Sequence, residues 1–210
     1  MSWLEPVTLA GEHATLEPLD PAHERALAEA CADGRLWELW YTTVPDPAQM
    51  GAEIARRLAL RQAGTMLPFS VRHNASGRLA GMTTYMNVDA THRRVEIGST
   101  WYAAAVQRSA LNTDCKALLL RHAFEQLDCI AVEFRTHCMN LRSRRAIERL
   151  GAKLDGVLRS HQRMPNGSLR DTAVYSIVAA EWPAVRANLD WMLRRPRADD
   201  AATTRAATPC

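Results

Sequence analysis

The chain has 210 residues, of which 47% are hydrophobic and 23% charged, and a formal net charge of +3. That length suits one domain, or a domain with an appendage, and the composition excludes collagen-like and largely disordered classes. A charge of +3 is too small for bulk nucleic-acid binding, and no apolar run approaches the roughly 20 residues needed to cross a bilayer.

Acidic Glu5 stands within Met1 to Leu9, where a signal peptide would be basic and then apolar, so a cytoplasmic protein is expected. The five cysteines, Cys31, Cys115, Cys129, Cys138 and Cys210, form no C-x-x-C pair and no metal-ligand spacing with the seven histidines. Reduced structural thiols follow, with neither a disulfide framework nor a metal site.

Val7 to Leu19 reads as a strand pair or a bent strand broken at Gly11, and Pro21 opens a helix through about Ala32. After the aromatic linker carrying Trp37, Trp40 and Tyr41, a second helix spans Pro47 to about Gln62, with Ile54 and Leu58 at helical spacing. Leu67 to His73 and Arg78 to Val88 form a hairpin around "NASG", and Arg93 to Tyr102 is a further strand.

From about Thr113 to Leu127 the spacing of Leu120, Ala123, Phe124 and Leu127 predicts a helix with one apolar face, with Asn112 or Thr113 as its N-cap. Ile130 to His137 is a strand rich in β-branched and aromatic residues. A short helix, Leu141 to Leu150, ends at Gly151. Two strands, about Lys153 to Gln162 and Ser168 to Ala179, flank "MPNGS", with Arg170 and Asp171 read as structural partners in that hairpin. Pro183 starts a last helix, and from Arg195 the small polar text predicts a disordered tail, leaving 1–194 as a single domain.

Strand, helix, strand in this order favours a parallel crossover, and ligands of α/β sheets collect beyond the carboxyl ends of strands, near helix starts. The loop Ala103 to Asn112 lies there, with Arg108 and Lys116 close in sequence. Free amides and the helix dipole favour an anion by ~0.3–1 kcal/mol, which makes a diphosphate a suitable guest. A capped surface helix with two solvated cations explains the same residues.

Four segments, "VEIGSTWY", "QRSALNTDCKALLLRHAFE", "MNLRSRRAIERLGAKLDGVLR" and "GSLRDTAVYSIVAAEW", together resemble the GNAT superfamily of N-acetyltransferases. The branch resembled contains the ribosomal-protein N-terminal acetyltransferases RimJ and RimL, and the likeness covers roughly Val7 to Leu193. The family's N-x-x-S-x-x-x-x-x-x-x-G segment is matched by Asn140, Ser143 and Gly151. Its Q/R-x-x-G-x-G/A turn aligns with Gln107, Arg108, Ser109, Ala110, Leu111 and Asn112, with Ala110 and Asn112 in place of the two small or glycine positions. Were Ala110 held at positive φ, the cost would be about 1–2 kcal/mol.

The resemblance implies an α/β (α+β) GNAT fold, a central twisted mixed sheet with helices on both faces. Two parallel strands, Arg93 to Tyr102 and Ile130 to His137, would splay to admit the pantetheine arm of acetyl-coenzyme A, a co-substrate used without a metal. Gln107, Arg108, Ser109, Ala110, Leu111, Asn112, Thr113 and Lys116 would bind the cofactor through main-chain N–H groups and cationic side chains. Asn140 would reach the pantetheine or reacting region, and Arg145, or its neighbours Arg142 and Arg144, the outer phosphate. Backbone N–H groups of Ile97, Gly98, Ser99 and Thr100 would hold the acetyl carbonyl and its oxyanion.

Ser143 is the expected donor to the departing thiolate, with capping of the helix by Asn140 as the structural alternative. Glu96 is the candidate base, working through water, with an ion pair to a neighbouring arginine as its alternative. Trp37, Trp40, Tyr41 and Tyr85 would line the acceptor cleft or fill core space. The implied activity is acetyl transfer to a primary amine, a protein N-terminus or a small molecule, by direct attack in a ternary complex. A catalytically silent acyl-coenzyme A sensor is the other reading. No nucleic-acid or membrane partner is expected, and a homo-oligomer is left open.

Overall fold

The computed structural model describes residues 3–195, so the expected tail from Pro196 onward lies outside the described residues. In chain order the elements are β1 (Leu9–Ala10), β2 (Ala14–Pro18), α1 (Glu24–Ala32), α2 (Met50–Gln62), β3 (Met66–His73), β4 (Arg78–Asp89) and β5 (Arg94–Tyr102). They continue with α3 (Leu111–Glu125), β6 (Ala131–His137), α4 (Leu141–Arg149), β7 (Lys153–Arg163), β8 (Leu169–Val178) and α5 (Trp182–Arg194). The eight strands form one mixed sheet in the order β1-β2-β3-β4-β5-β6-β8-β7.

Each helix start follows local chemistry. Asp20 and Asp46 each cap a short 3-10 turn opened by proline, accepting from the amides of Ala22 and Ala48 at 2.8 Å, and these turns lead into α1 and α2. Gly151 takes a φ of 102°, the left-handed turn at which α4 stops.

Two apolar clusters hold the layers. One joins α3 and α5 to one face of the sheet through Leu16, Phe69, Tyr85, Ile97, Leu119, Phe134 and Ile177; the other joins α1 and α2 to the opposite face through Leu27, Ile54, Met82 and Trp101. Helices therefore cover both faces, as the resemblance implies.

Every strand pairing is antiparallel except β5 with β6, which are parallel and paired only at Arg94/Ala131, Val95/Val132 and Glu96/Glu133. β6 goes on pairing with β8 as far as His137, and β5 with β4 as far as Tyr102, so the two parallel strands separate beyond Glu96.

A shift in register between Met82 and Thr84 faces an inner bend in β5, where Ser99 adopts φ 47°. Arg57 of α2, 1% exposed, fastens that bend: it pairs with Glu53 at 2.6 Å, donates to Thr84 Oγ1 at 2.7 Å and reaches the Ser99 carbonyl at 3.4 Å.

Gly81 sits at φ 155° on β4, and an added Cβ would stand 2.1 Å from the Trp101 carbonyl oxygen. Gly81→Ala should therefore lower stability by about 2 kcal/mol or more, read as a shift of the denaturant midpoint; an unchanged midpoint would contradict this packing.

Candidate active site

The site forms where β5 and β6 part. Glu96 occupies the last paired rung and is 5% exposed. Its Oε2 accepts from Asn87 Nδ2 at 2.7 Å and lies 3.5 Å from Arg135 Nε, so the ion pair weighed from the sequence is present. Burial raises the Glu96 carboxyl above the ordinary range, and the Asn87 bond and the Arg135 charge offset only part of that effect. Glu133, one strand away, goes the other direction: burial works against its charge, but bonds from Arg94 and Arg135 hold it low.

These side chains line a polar cleft of ≈ 180 Å³ with Asn87, Asp89 and Val95. Gly98 leaves room for it, since a Cβ there would stand 2.7 Å from Met86 Sδ and 2.9 Å from Glu96 Oε1.

Behind the splay, the chain enters α3 through a tight turn. Gln107 is extended (φ −71°, ψ 152°) and Arg108 left-handed (φ 63°), while Ala110 is helical at φ −68°. The positive φ of this turn falls on Arg108, so the cost weighed for Ala110 does not arise, and neither Ala110 nor Asn112 has a positive φ. α3 begins at Leu111, two residues before the predicted start, and neither Asn112 nor Thr113 is its cap. Ser109 Oγ instead accepts from the Leu111 amide at 3.2 Å. The first helical bond runs from the Asp114 amide to the Ala110 carbonyl, leaving the amides of Arg108, Ala110, Asn112 and Thr113 without an acceptor among the described residues.

Gln107 ties this turn to its surroundings, donating to the Tyr102 carbonyl and accepting from Arg142, both at 2.7 Å. Arg145 is exposed on α4, while Arg144 is held by Tyr175. Asn140 caps α4, its Oδ1 accepting from the Ser143 amide at 3.0 Å, which places the half-exposed Ser143 in the first turn beside the end of β6. Unpaired amides at a helix start, next to a parting of two strands, fit an extended ligand with a diphosphate.

Two expected ligands lie elsewhere. Lys116 turns inward rather than toward the loop: it is 6% exposed and donates to Thr83 Oγ1 at 3.1 Å and Thr100 Oγ1 at 2.7 Å. At position six of α3 it falls on the apolar face that docks on β4 and β5, so its side chain does not reach the phosphate turn. Tyr85 does not line the acceptor cleft: it is 0% exposed on the α3 face, its hydroxyl donating to the Leu119 carbonyl and its ring beside Phe69 and His122. Thr113 is also buried, with its hydroxyl accepting from Arg149.

In the linker, Trp37 packs against the α1–α2 cluster, whereas Trp40 stands edge-on to Tyr41 and to His137 of β6. Asn87, Arg135 and His137 were not singled out from the sequence. The alternation Glu133, Arg135, His137 within "AVEFRTH" was the available signal, since alternate strand residues share one face.

Burial pulls the Lys116 ammonium down to about 8, against a smaller opposing effect of Cys115. With the folded value below the ordinary one, the linked stability is present above about 10.4 and is lost as pH falls through about 8. Lys116→Met should consequently raise the melting temperature at pH 7 and flatten its change between pH 8 and 10; a lower melting temperature at pH 7 would refute this.

Residues 13–153 match the family model described as acetyltransferase (GNAT) domain. A Bacillus subtilis (strain 168) protein named ribosomal N-acetyltransferase YdaF is 28% identical over 175 residues, covering 81% of this chain and 94% of its own. The crystal structure of a GCN5-related N-acetyltransferase from Brucella melitensis is 30% identical with a TM-score of 0.80, over 90% of this chain and 86% of the other. Mycobacterium smegmatis RimJ in complex with CoA-disulfide shares the fold at a TM-score of 0.76 and 23% identity, over 90% of this chain and 96% of its own. The chain belongs to the GNAT family of acetyltransferases.

Proposed function

We propose that the protein moves an acetyl group from acetyl-coenzyme A to a primary amine, most simply a protein N-terminus, by direct attack in a ternary complex. The observation that carries this reading is Glu96, a buried carboxylate on the last rung before β5 and β6 part. The name that YdaF carries, ribosomal N-acetyltransferase, supports a protein acceptor.

Acetyl-coenzyme A supplies the activated acyl group. In this reading its diphosphate lies on the amides of Arg108, Ala110, Asn112 and Thr113, with Arg108 as the nearby cation and Arg142 and Arg145 toward the outer phosphate. Those main-chain donors among Ile97 to Thr100 that point to the β6 side, left without β6 by the splay, face the acetyl carbonyl. An α-amino group with pKa about 8 needs only a weak base at neutral pH. Glu96 takes the proton through a water, held in place by Asn87 and Arg135. Ser143, whose hydroxyl has no acceptor among the described residues, donates to the thiolate as it leaves, and Asn140 keeps it there.

A base must be ionised, and the Glu96 carboxyl is raised by burial. kcat/KM should therefore begin to fall at a less acidic pH than an ordinary carboxylate would give. Glu96→Gln should abolish that limb and slow turnover by roughly 100-fold or more. Because a raised carboxyl costs the fold stability as pH rises through its folded value, the same variant should keep or raise the melting temperature at pH 7. Unchanged turnover in Glu96→Gln would remove Glu96 as the base.

Ser143→Ala should lower kcat by about tenfold, the worth of one hydrogen bond to a charged leaving group, and leave the KM for acetyl-coenzyme A nearly as it was. A rise in KM with kcat preserved would instead make Ser143 a cofactor-binding residue.

A further inference from the structure

Along β6 the residues Glu133, Arg135 and His137 share the sheet face on which Glu96 lies. His137, 4% exposed, accepts the Met139 amide on Nδ1 at 3.1 Å. A neutral imidazole that accepts at Nδ1 carries its proton on Nε2. That Nε2 is buried and has no partner among the described residues, while the Trp40 ring stands edge-on with centroids 5.1 Å apart. A buried donor of this kind carries an uncompensated desolvation cost.

Thr172 of β8 faces His137 in the antiparallel register. Arg170 is two residues further along the same face, and its Nε donates to Thr172 Oγ1 at 2.9 Å. The guanidinium is thus folded back along the strand, over Thr172 and toward the end of the sheet where Glu96 sits.

Neighbouring carboxylates are engaged with other groups. Glu133 is bonded by Arg94 and Arg135, and Glu96 by Asn87 with Arg135 beside it. Asp171 takes Arg159 and the Ser160 amide at 2.9 and 2.7 Å. Among the described residues, Arg170 has no carboxylate within 4.0 Å, and its Nη groups have no acceptor. Arg170 and Asp171 are therefore not partners of each other; as adjacent strand residues they point to opposite faces.

Past Glu96, the same face of the sheet thus offers a buried N–H and a guanidinium fork, both lacking an acceptor among the described residues. We propose that His137 and Arg170 are a subsite for an anion carried by the acceptor itself, so that the preferred substrate is an amine with a carboxylate close by, such as a peptide N-terminus followed by an aspartyl residue. This rests on the acetyl-transfer reading and adds the acceptor's chemical class.

The chemistry of the pair selects that class. A planar guanidinium binds a carboxylate through two parallel N–H bonds, and the imidazole N–H can serve a remaining lone pair. Arg170 feels the charge of Glu96 but bonds no carboxylate, so one added negative charge can be seated on its fork, whereas a phosphate dianion would leave excess charge beside Glu96 and Glu133.

The test uses two peptides differing only at the second residue, Ser-Asp and Ser-Asn, with coenzyme A release followed for the whole chain, for Arg170→Gln and for His137→Phe. Asp and Asn have the same shape, so the ratio of their kcat/KM values isolates the charge. The unaltered protein should favour the Asp peptide by roughly 10- to 100-fold, the range for a hydrogen-bonded charge. Arg170→Gln should bring the ratio near one by raising KM for the Asp peptide, and His137→Phe, which keeps a ring against Trp40, should reduce it in part. Equal use of the two peptides by the unaltered protein would overturn the subsite while leaving acetyl transfer intact. Loss of both peptides by the same factor in Arg170→Gln would show a structural role and overturn it as well. Turnover of neither peptide, with acetyl-coenzyme A still raising the melting temperature, would overturn the peptide-acceptor reading and this inference together.

Discussion

The parallel ladder between β5 and β6 stops after three rungs, and the rest of the site depends on that interruption. Hydrogen bonding would normally zip two neighbouring parallel strands along their length. Here β6 stays with β8 on its other side, while β5 follows β4 and bends at Ser99. A left-handed serine in a strand is a local cost, and Arg57 compensates it from beneath, spending a buried guanidinium on Thr84 and the Ser99 carbonyl. Glu53 makes that burial tolerable by pairing with Arg57.

Electrostatics around the gap are graded rather than uniform. Glu96 and Glu133 face each other across the last rung, yet burial raises one and two arginines lower the other. Two carboxylates in one cleft thereby take different roles, one suited to exchange protons and one fixed as a counter-ion. On the opposite face, Lys116 and its two threonines form a polar island within the α3 packing surface. Its charge is held away from both the cleft and the turn before α3, so anion binding at that turn relies on main-chain dipoles and exposed arginines.

Much of this was legible in the sequence, and the misses have physical causes. The hairpin around Asn74 to Gly77, the strand carrying Glu96 and the cap at Asn140 follow from local chemistry that tertiary packing does not override. Lys116 was misplaced because a basic residue near a helix start suggests phosphate, whereas its position six residues into α3 turns it to the sheet. Tyr85 lies on the α3 face by regular alternation from Met82, and which face of β4 meets α3 is set by tertiary packing that the strand pattern by itself does not reveal. Asn87, Arg135 and His137 come together only through the pairing of separated strands. The α3 start moved because Ser109, rather than Asn112 or Thr113, satisfies the first amide.

The central claim is that the unpaired amides entering α3 hold a diphosphate while the parted strands receive the arm attached to it. Residue-resolved amide hydrogen exchange, with and without saturating coenzyme A, tests it most directly. The account predicts that exchange at Arg108, Ala110, Asn112 and Thr113 slows by at least about tenfold on binding, together with those amides of Ile97 to Thr100 that point to the β6 side. Exchange unchanged at both groups of amides in the saturated protein would contradict it.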